Sequence, residues 1–273
     1  MEIATQRAPA VAGRFYPGDG EGLRRALERL LDPGAAVEPA PALALMAPHA
    51  GYMYSGALAG QTWARAEVPA RVVLLCPNHT GYGVPRSIWT RGRWALPGGG
   101  LEVDAELAEA IRRRANLEAD RDAHRYEHAI EVQLPFVRAR RADAKIVPIC
   151  LSRQTLADCR EVGEGIAAAV AELGEPALIA ASSDMSHYIA ADEARARDRL
   201  ALDRLLALDP AGLYDVVRDE GISMCGYIPA TVALYAALAQ GARHAELVGY
   251  TNSGEVSGDF SRVVGYAGAL ITR

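Results

Sequence analysis

Three apolar runs in this chain each deliver a histidine just beyond their ends. Leu43-Ala44-Leu45-Met46-Ala47 leads into Pro48-His49-Ala50-Gly51-Tyr52, and Val72-Val73-Leu74-Leu75-Cys76 leads into Pro77-Asn78-His79-Thr80-Gly81-Tyr82. A third run, Ala177-Leu178-Ile179-Ala180-Ala181, ends in Ser182-Ser183-Asp184-Met185-Ser186-His187-Tyr188. Short apolar runs bounded by turn residues read as buried strands, and open α/β sheets gather their ligands beyond the carboxyl ends of strands. His49 and His79 each follow a proline and precede a Gly-Tyr turn, where glycine permits close backbone approach. Taken singly, each reads first as an ordinary hydrogen-bonded loop histidine. Matched settings at two strand ends make the pair a candidate for metal ligation or acid-base work.

Other side chains join or compete. Cys225 lies in Ile222-Ser-Met-Cys225-Gly-Tyr-Ile-Pro229, just before a predicted helix. A helix N-terminus favours a thiolate, so Cys225 is either a ligand or a nucleophile; otherwise it is a small buried hydrophobe. Asp184 and His187 are three apart, a spacing at which the carboxylate orients the imidazole and sets its tautomer for general acid-base chemistry. Ser182 and Ser183 raise a hydrolase reading, but the chain has no G-x-S-x-G elbow. Glu127, His128 and Glu131 read by themselves as the exposed edge of a helix, and His124 and His244 as surface residues. Tyr16, Tyr52, Tyr54, Tyr82, Tyr188 and Tyr227 all fall beside candidate site residues, as substrate contacts or as the rim of a crevice.

The elements that must position these residues alternate. Asp19 caps a helix with Leu23, Leu27, Leu30 and Leu31 on one face, and Asp32-Pro-Gly stops it. A strand over 43–47, a helix over 56–66 capped by Ser55, and a strand over 71–76 follow. Ile88-Trp-Thr and Trp94-Ala-Leu read as a hairpin, Pro97-Gly-Gly-Gly as a loop, and Asp104 as the cap of a helix to about 114. Helix 127–138, strand 145–150, helix 155–173 and strand 177–181 come next. Helices over 192–208 and 210–218, a helix from Pro229 to Gln240, and strands over 245–250 and 262–271 complete the chain. The alternation predicts one three-layer α/β domain over residues 1–273, a largely parallel or mixed sheet flanked by helices.

Composition narrows the function classes. The 273 residues carry 29 Lys+Arg against 34 Asp+Glu, a net charge of −5; with no basic block, nucleic acid is not an expected partner. Half the residues are hydrophobic, and a chain this long buries roughly three-quarters of its unfolded surface. No run reaches the length of a membrane span, and residues 1–7 lack the basic and apolar regions of a signal peptide. Cys76, Cys150, Cys159 and Cys225 form no C-x-x-C pair and read as reduced thiols. The expected compartment is the cytoplasm.

Read together, R-x-P-A-V-A-G-x-F-Y-P, A-P-H-A-G-Y-x-Y-S-G, P-N-H, E-H-A-I-E-V-Q-L-P-F, S-S-D-M-S-H-Y, C-G and G-Y-T-N-S-G-E-V-S-G-D resemble the Memo family, whose prokaryotic members are called AmmeMemoRadiSam system protein B. The likeness runs from about Arg7 to Leu270. It implies a fold similar to class III extradiol dioxygenases, which hold Fe(II) through two histidines and a glutamate. On this chain it implies His49, His79 and Cys225 as metal ligands and Asp184 and His187 as the acid-base positions. Tyr54, Tyr16 and His128 are taken as pocket residues. A thiolate where the dioxygenases have a carboxylate shifts preference toward Fe(II), copper or zinc and alters redox behaviour.

The expected function is therefore that of a metal-binding protein, iron first with copper or zinc next, with an unidentified oxidoreductase or dioxygenase-like activity on a small molecule or peptide. The resemblance further implies radical-SAM and AMMECR-type proteins as partners. The alternatives are a non-catalytic peptide-binding or metal-handling module using the same cleft, and extradiol cleavage of catechols.

Overall fold

A computed structural model describes residues 6–32 and 38–273. Its strands are β1 (Gln6–Arg7), β2 (Ala44–Ala47), β3 (Arg71–Pro77), β4 (Arg86–Ile88), β5 (Arg93–Leu96), β6 (Gly99–Val103), β7 (Glu118–Ala119), β8 (Lys145–Leu151), β9 (Ala177–Ser182), β10 (His187–Ile189), β11 (His244–Asn252) and β12 (Val263–Thr272). Its helices are α1 (Gly20–Leu30), α2 (Tyr52–Arg65), α3 (Ala105–Arg114), α4 (Asp122–Arg125), α5 (Leu134–Arg140), α6 (Leu156–Leu173), α7 (Ala191–Leu206), α8 (Pro210–Asp219), α9 (Tyr227–Ala239) and α10 (Gly254–Ser257).

The strands form one mixed sheet with the path β1-β5-β6-β8-β3-β9-β2-β12-β10; β11 adds to β12, and β4 pairs with β7 and β8. Its centre, β8-β3-β9-β2, is parallel and buried on both faces, as the continuous apolar runs of these strands require. One group of helices, α1, α2 and α5, packs over β2 and β12; a second, α3, α6, α8 and α9, packs over β3, β9 and β2. The expected three-layer α/β architecture is thus present.

The connection from β2 to β3 passes through α2, whereas β8 to β9 passes through α6 in the other helical layer, and β9 inserts between β2 and β3. The carboxyl ends of β2, β9 and β3 are therefore adjacent while their crossovers leave in different directions, the arrangement that opens a crevice in α/β sheets.

Local signals account for many boundaries. Asp19 and Asp104 cap α1 and α3 through side-chain acceptors, and Thr155 with Asp158 closes a capping box on α6. The stop assigned to Pro33 and Gly34 lies outside the described residues, as do residues 1–5. Helix α2 starts at Tyr52 behind Gly51, not at Ser55, whose hydroxyl instead donates to the Ala50 carbonyl. The expected hairpin between Ile88 and Trp94 is absent. β5 pairs with β6 across Pro97-Gly98, where Gly98 has φ +76°, as a turn with proline before a positive-φ glycine demands. β4 pairs with β8 and β7 instead.

The segment 127–138 also departs from expectation. Residues 129–133 are turns and α5 begins only at Leu134, with Pro135 in its first turn, where a missing N–H costs nothing. Glu131 is fully buried. Its carboxylate accepts from Arg7 Nη1 at 2.6 Å, the Ala10 and Val11 amides at 2.8 and 2.9 Å, and the Tyr16 hydroxyl at 2.8 Å. Arg7 in turn donates to the carbonyls of His124 and Glu127 and stacks over Trp94. A buried charge persists only when paired and hydrogen-bonded this completely.

His124, expected at the surface, is buried against Ser87, with its Nε2 2.9 Å from the hydroxyl. Burial, with Arg7 nearby, lowers its pKa from the ordinary 6.5 to about 3. It stays neutral in the folded protein but gains a proton on unfolding below 6.5, so its contribution to stability is present above that pH and is lost as pH falls toward 3. His124→Gln should therefore flatten the acid limb of the stability curve. At pH 5 the relief is about 2 kcal/mol, from ~1.4 kcal/mol per unit, measured by denaturant titration at pH 7 and 5.

Candidate metal centre

His49 leaves β2 through Pro48 and is almost wholly buried. Its amide donates to Asp184 Oδ1 at 2.7 Å, and its ring Nδ1 lies 3.0 Å from Ser182 Oγ at the end of β9. His79 sits in a loop wound around Asn78, whose Oδ1 accepts the amides of Thr80 and Gly81, an Asx turn. The His79 amide donates to Glu127 Oε2 at 2.6 Å, and its Nδ1 is 2.9 Å from Glu127 Oε1.

His128, expected on an exposed helix edge, lies in the same crevice. Its ring stacks on His79 at 4.7 Å between centroids and 27° between planes, and its Nδ1 is 3.3 Å from the same Glu127 oxygen. The His49 ring stands edge-on to both, at 5.2 and 5.3 Å. One ring nitrogen from each of His49, His79 and His128 lies within 4.8 Å of the other two. The Nδ1 atoms of His49 and His79 are hydrogen-bonded to Ser182 and Glu127, and that of His128 makes an ion-pair contact with Glu127. Histidines that ligate metals are oriented in this way, through a carboxylate or hydroxyl on the far nitrogen.

The electrostatics match. Burial, with His79 close by, lowers His49 to about 3, and burial with His49 alongside lowers His128 to about 4, so both are neutral imidazoles. Burial alone would push Glu127 up, but the hydrogen bond and charge of His79 bring it to about 2. An anion is thereby set beneath two histidines; for His79 burial is the largest single influence and lowers the pKa, but the hydrogen bond and charge of Glu127 together with the charge of Asp184 raise it above the ordinary value. Imidazoles backed by a carboxylate form a donor set that fits a divalent ion of the first transition row.

Cys225 precedes α9, and its Sγ is 3.3 Å from His49 Nε2. The chain comes this close because residue 226 is glycine: a Cβ there would sit 2.4 Å from Ser183 Cβ and 2.5 Å from the Ser182 carbonyl. The helix N-terminus does not lower this thiol. Burial, reinforced by the charge of Asp184, drives its pKa well above the ordinary range. Without a metal, Cys225 is a protonated thiol rather than a nucleophile.

Asp184 is held as an acceptor for the His49 amide, and burial raises its pKa. The His187 ring is oriented by the Ser223 carbonyl, 2.9 Å from Nδ1, and its amide by the Ser223 hydroxyl at 2.8 Å, so the positioning hydrogen bond comes from Ser223 and not from Asp184. Tyr54 stands exposed on the first turn of α2. Tyr16 is a buried partner of Glu131 and not a pocket residue. Cys76 is core, as expected, and Ser183 binds the Gly226 amide. Glu127, as the shared anchor of two histidines, is the residue that periodicity misplaces. Its one sequence signal is direct adjacency to His128.

A sheet with three histidines meeting beyond its central strands defines an α/β protein with a candidate metal centre. Its relatives agree with that class. A family profile described as Memo-like protein matches residues 7–270. MEMO1 family proteins of Methanopyrus kandleri and Aquifex aeolicus are each 41% identical, over 98% and 97% of this chain and 99% and 98% of theirs. One from Methanosarcina acetivorans is 43% identical over 97% of this chain and 98% of its own. The chain belongs to the Memo family. An uncharacterised protein of Escherichia coli K12 shares the fold, with a TM-score of 0.56 at 15% identity over 83% of this chain and 98% of that one.

Proposed function

We propose that this protein holds a divalent ion, iron first and copper or zinc next, in a dioxygenase-like crevice and, with iron or copper bound, serves an oxidoreductase-type reaction. The observation that carries this reading is the clustering of His49, His79 and His128, with one ring nitrogen of each within 4.8 Å of the others, and the Cys225 thiol 3.3 Å from His49 Nε2. His49 and His79 would hold the ion, with Cys225 as thiolate ligand and His128 as the neighbouring donor. One thiolate among imidazoles would leave a divalent ion with about one positive charge; the ion would supply Lewis-acid chemistry and, if iron or copper, one-electron chemistry.

The residues around it have separable tasks. Glu127 keeps His79 in one tautomer and sets its charge beside His128. His187, with Nδ1 directed at the Ser223 carbonyl, keeps Nε2 as a proton acceptor. The substrate is a small molecule or peptide, the setting cytoplasmic, and the partners radical-SAM and AMMECR-type proteins, the last following from the family resemblance.

Elemental analysis of protein purified without air tests this. Close to one metal per chain is expected, with a marked fall in Cys225→Ser and a smaller one in His128→Ala. Wild-type protein that stays metal-free after Fe(II) loading refutes the reading. Oxygen uptake with catechol and Fe(II) reports extradiol cleavage separately.

A binding-module reading draws support from the exposed Met53, Tyr54, Tyr82, Tyr126 and Tyr188, which flank site residues in the chain. A partner retained after chelation and in Cys225→Ser would favour it.

A further inference from the structure

We infer that Trp63, Gln133 and Ser182 form a positioning relay that fixes His49 as the Nδ1–H tautomer and so reserves its Nε2 for the ion. The inference rests on the metal-centre reading for its purpose, though not for its hydrogen bonds. The donors along the chain admit one solution. The Trp63 indole is donor-only and lies 2.7 Å from Gln133 Oε1, which fixes the orientation of the amide. Gln133 Nε2 must then donate, to the Pro48 carbonyl at 2.9 Å and to Ser182 Oγ at 3.0 Å.

Ser182 has one proton, and the Ala129 carbonyl 2.7 Å away can only accept it. Both lone pairs of Ser182 Oγ are left to receive Gln133 Nε2–H and the ring Nδ1 of His49, 3.0 Å away. The His49 ring must therefore carry its proton on Nδ1. All four side chains are buried, so water does not offer a competing partner.

The same amide grips the carbonyl of Pro48, the residue before His49, and sits at the cap of α5 directly after the turn that follows His128. Gln133 thus ties the loop bearing His128 to the strand end bearing His49. It touches no ion or substrate; it acts through Ser182 and Pro48.

The test is a measurement of histidine tautomers by long-range ¹H–¹⁵N correlation on metal-free full-length protein, combined with Zn(II) affinity by chelator competition. Wild type is expected to show His49 with the proton on Nδ1. Ser182→Ala and the near-isosteric Gln133→Met should mix the tautomers and weaken Zn(II) binding about 10- to 100-fold, the usual cost of losing an outer-shell partner. A role in folding alone would lower the melting temperature without changing the tautomer. Wild type with the proton on Nε2, or folded variants with unchanged tautomer and affinity, overturns the relay. The wild-type spectrum decides even where a variant does not fold. A wild type that shows the Nδ1–H tautomer but binds no metal overturns the metal-centre reading and leaves the relay standing.

Discussion

His49→Ala should weaken metal binding about 100-fold while leaving the fold in place. A four-ligand site worth about 10–16 kcal/mol loses roughly 3 kcal/mol with one ligand, so affinity falls by about two orders of magnitude. The main-chain bond from the residue 49 amide to Asp184 does not need the imidazole and is retained. Circular dichroism should therefore be unchanged while the metal dissociation constant, read by chelator competition, rises about 100-fold. His244→Ala, at an exposed position on β11, is the matched control and should keep its metal. Wild-type metal affinity in His49→Ala would remove His49 from the ligand set.

The second large effect is on stability and comes from a residue that touches no ligand. Glu131→Ala leaves the Arg7 guanidinium buried without its counter-charge and also strips the Ala10 and Val11 amides and the Tyr16 hydroxyl of their acceptor. Breaking a buried pair from one side costs about 3–5 kcal/mol. In a protein of this size that lowers the melting temperature by about 10 °C, at ~2–4 °C per kcal/mol. Because Arg7 also holds the carbonyl of Glu127, the surviving protein should bind metal more weakly. Glu21→Ala, which removes an exposed partner of Arg25, should change the melting temperature far less. Equal melting temperatures for the two variants would show that the buried pair contributes no more than a surface one.

Much of this architecture is legible in local sequence because its causes are local. A buried parallel strand must be apolar throughout, so β2, β3, β8 and β9 announce themselves, and Asp19, Asp104 and Thr155 mark helix starts because the first amides of a helix lack internal partners. His49 and His79 are readable for the same reason: they sit immediately past such strands. The Pro97-Gly98 turn is equally local, and the segments around Trp89 and Trp94 obscure it by offering a more regular-looking hairpin. Cys225 was visible as a residue, but the state of its thiol depends on how deeply α9 seats against β9, which the Gly226 contact sets.

The sequence by itself determined the alternating elements, the layer architecture, and the two strand ends that place His49 and His79. Only the tertiary structure decided that His128 joins them, that Glu127 anchors two rings, and that Glu131 is core. A helical period over 127–138 puts these residues on a solvent edge, yet the segment is turned inward by Arg7, 124 residues away from Glu131 in the chain. The physical reason is one of range. Propensity and periodicity record what a residue does with neighbours three or four positions away, whereas a buried charge is fixed by whichever counter-charge the fold brings to it.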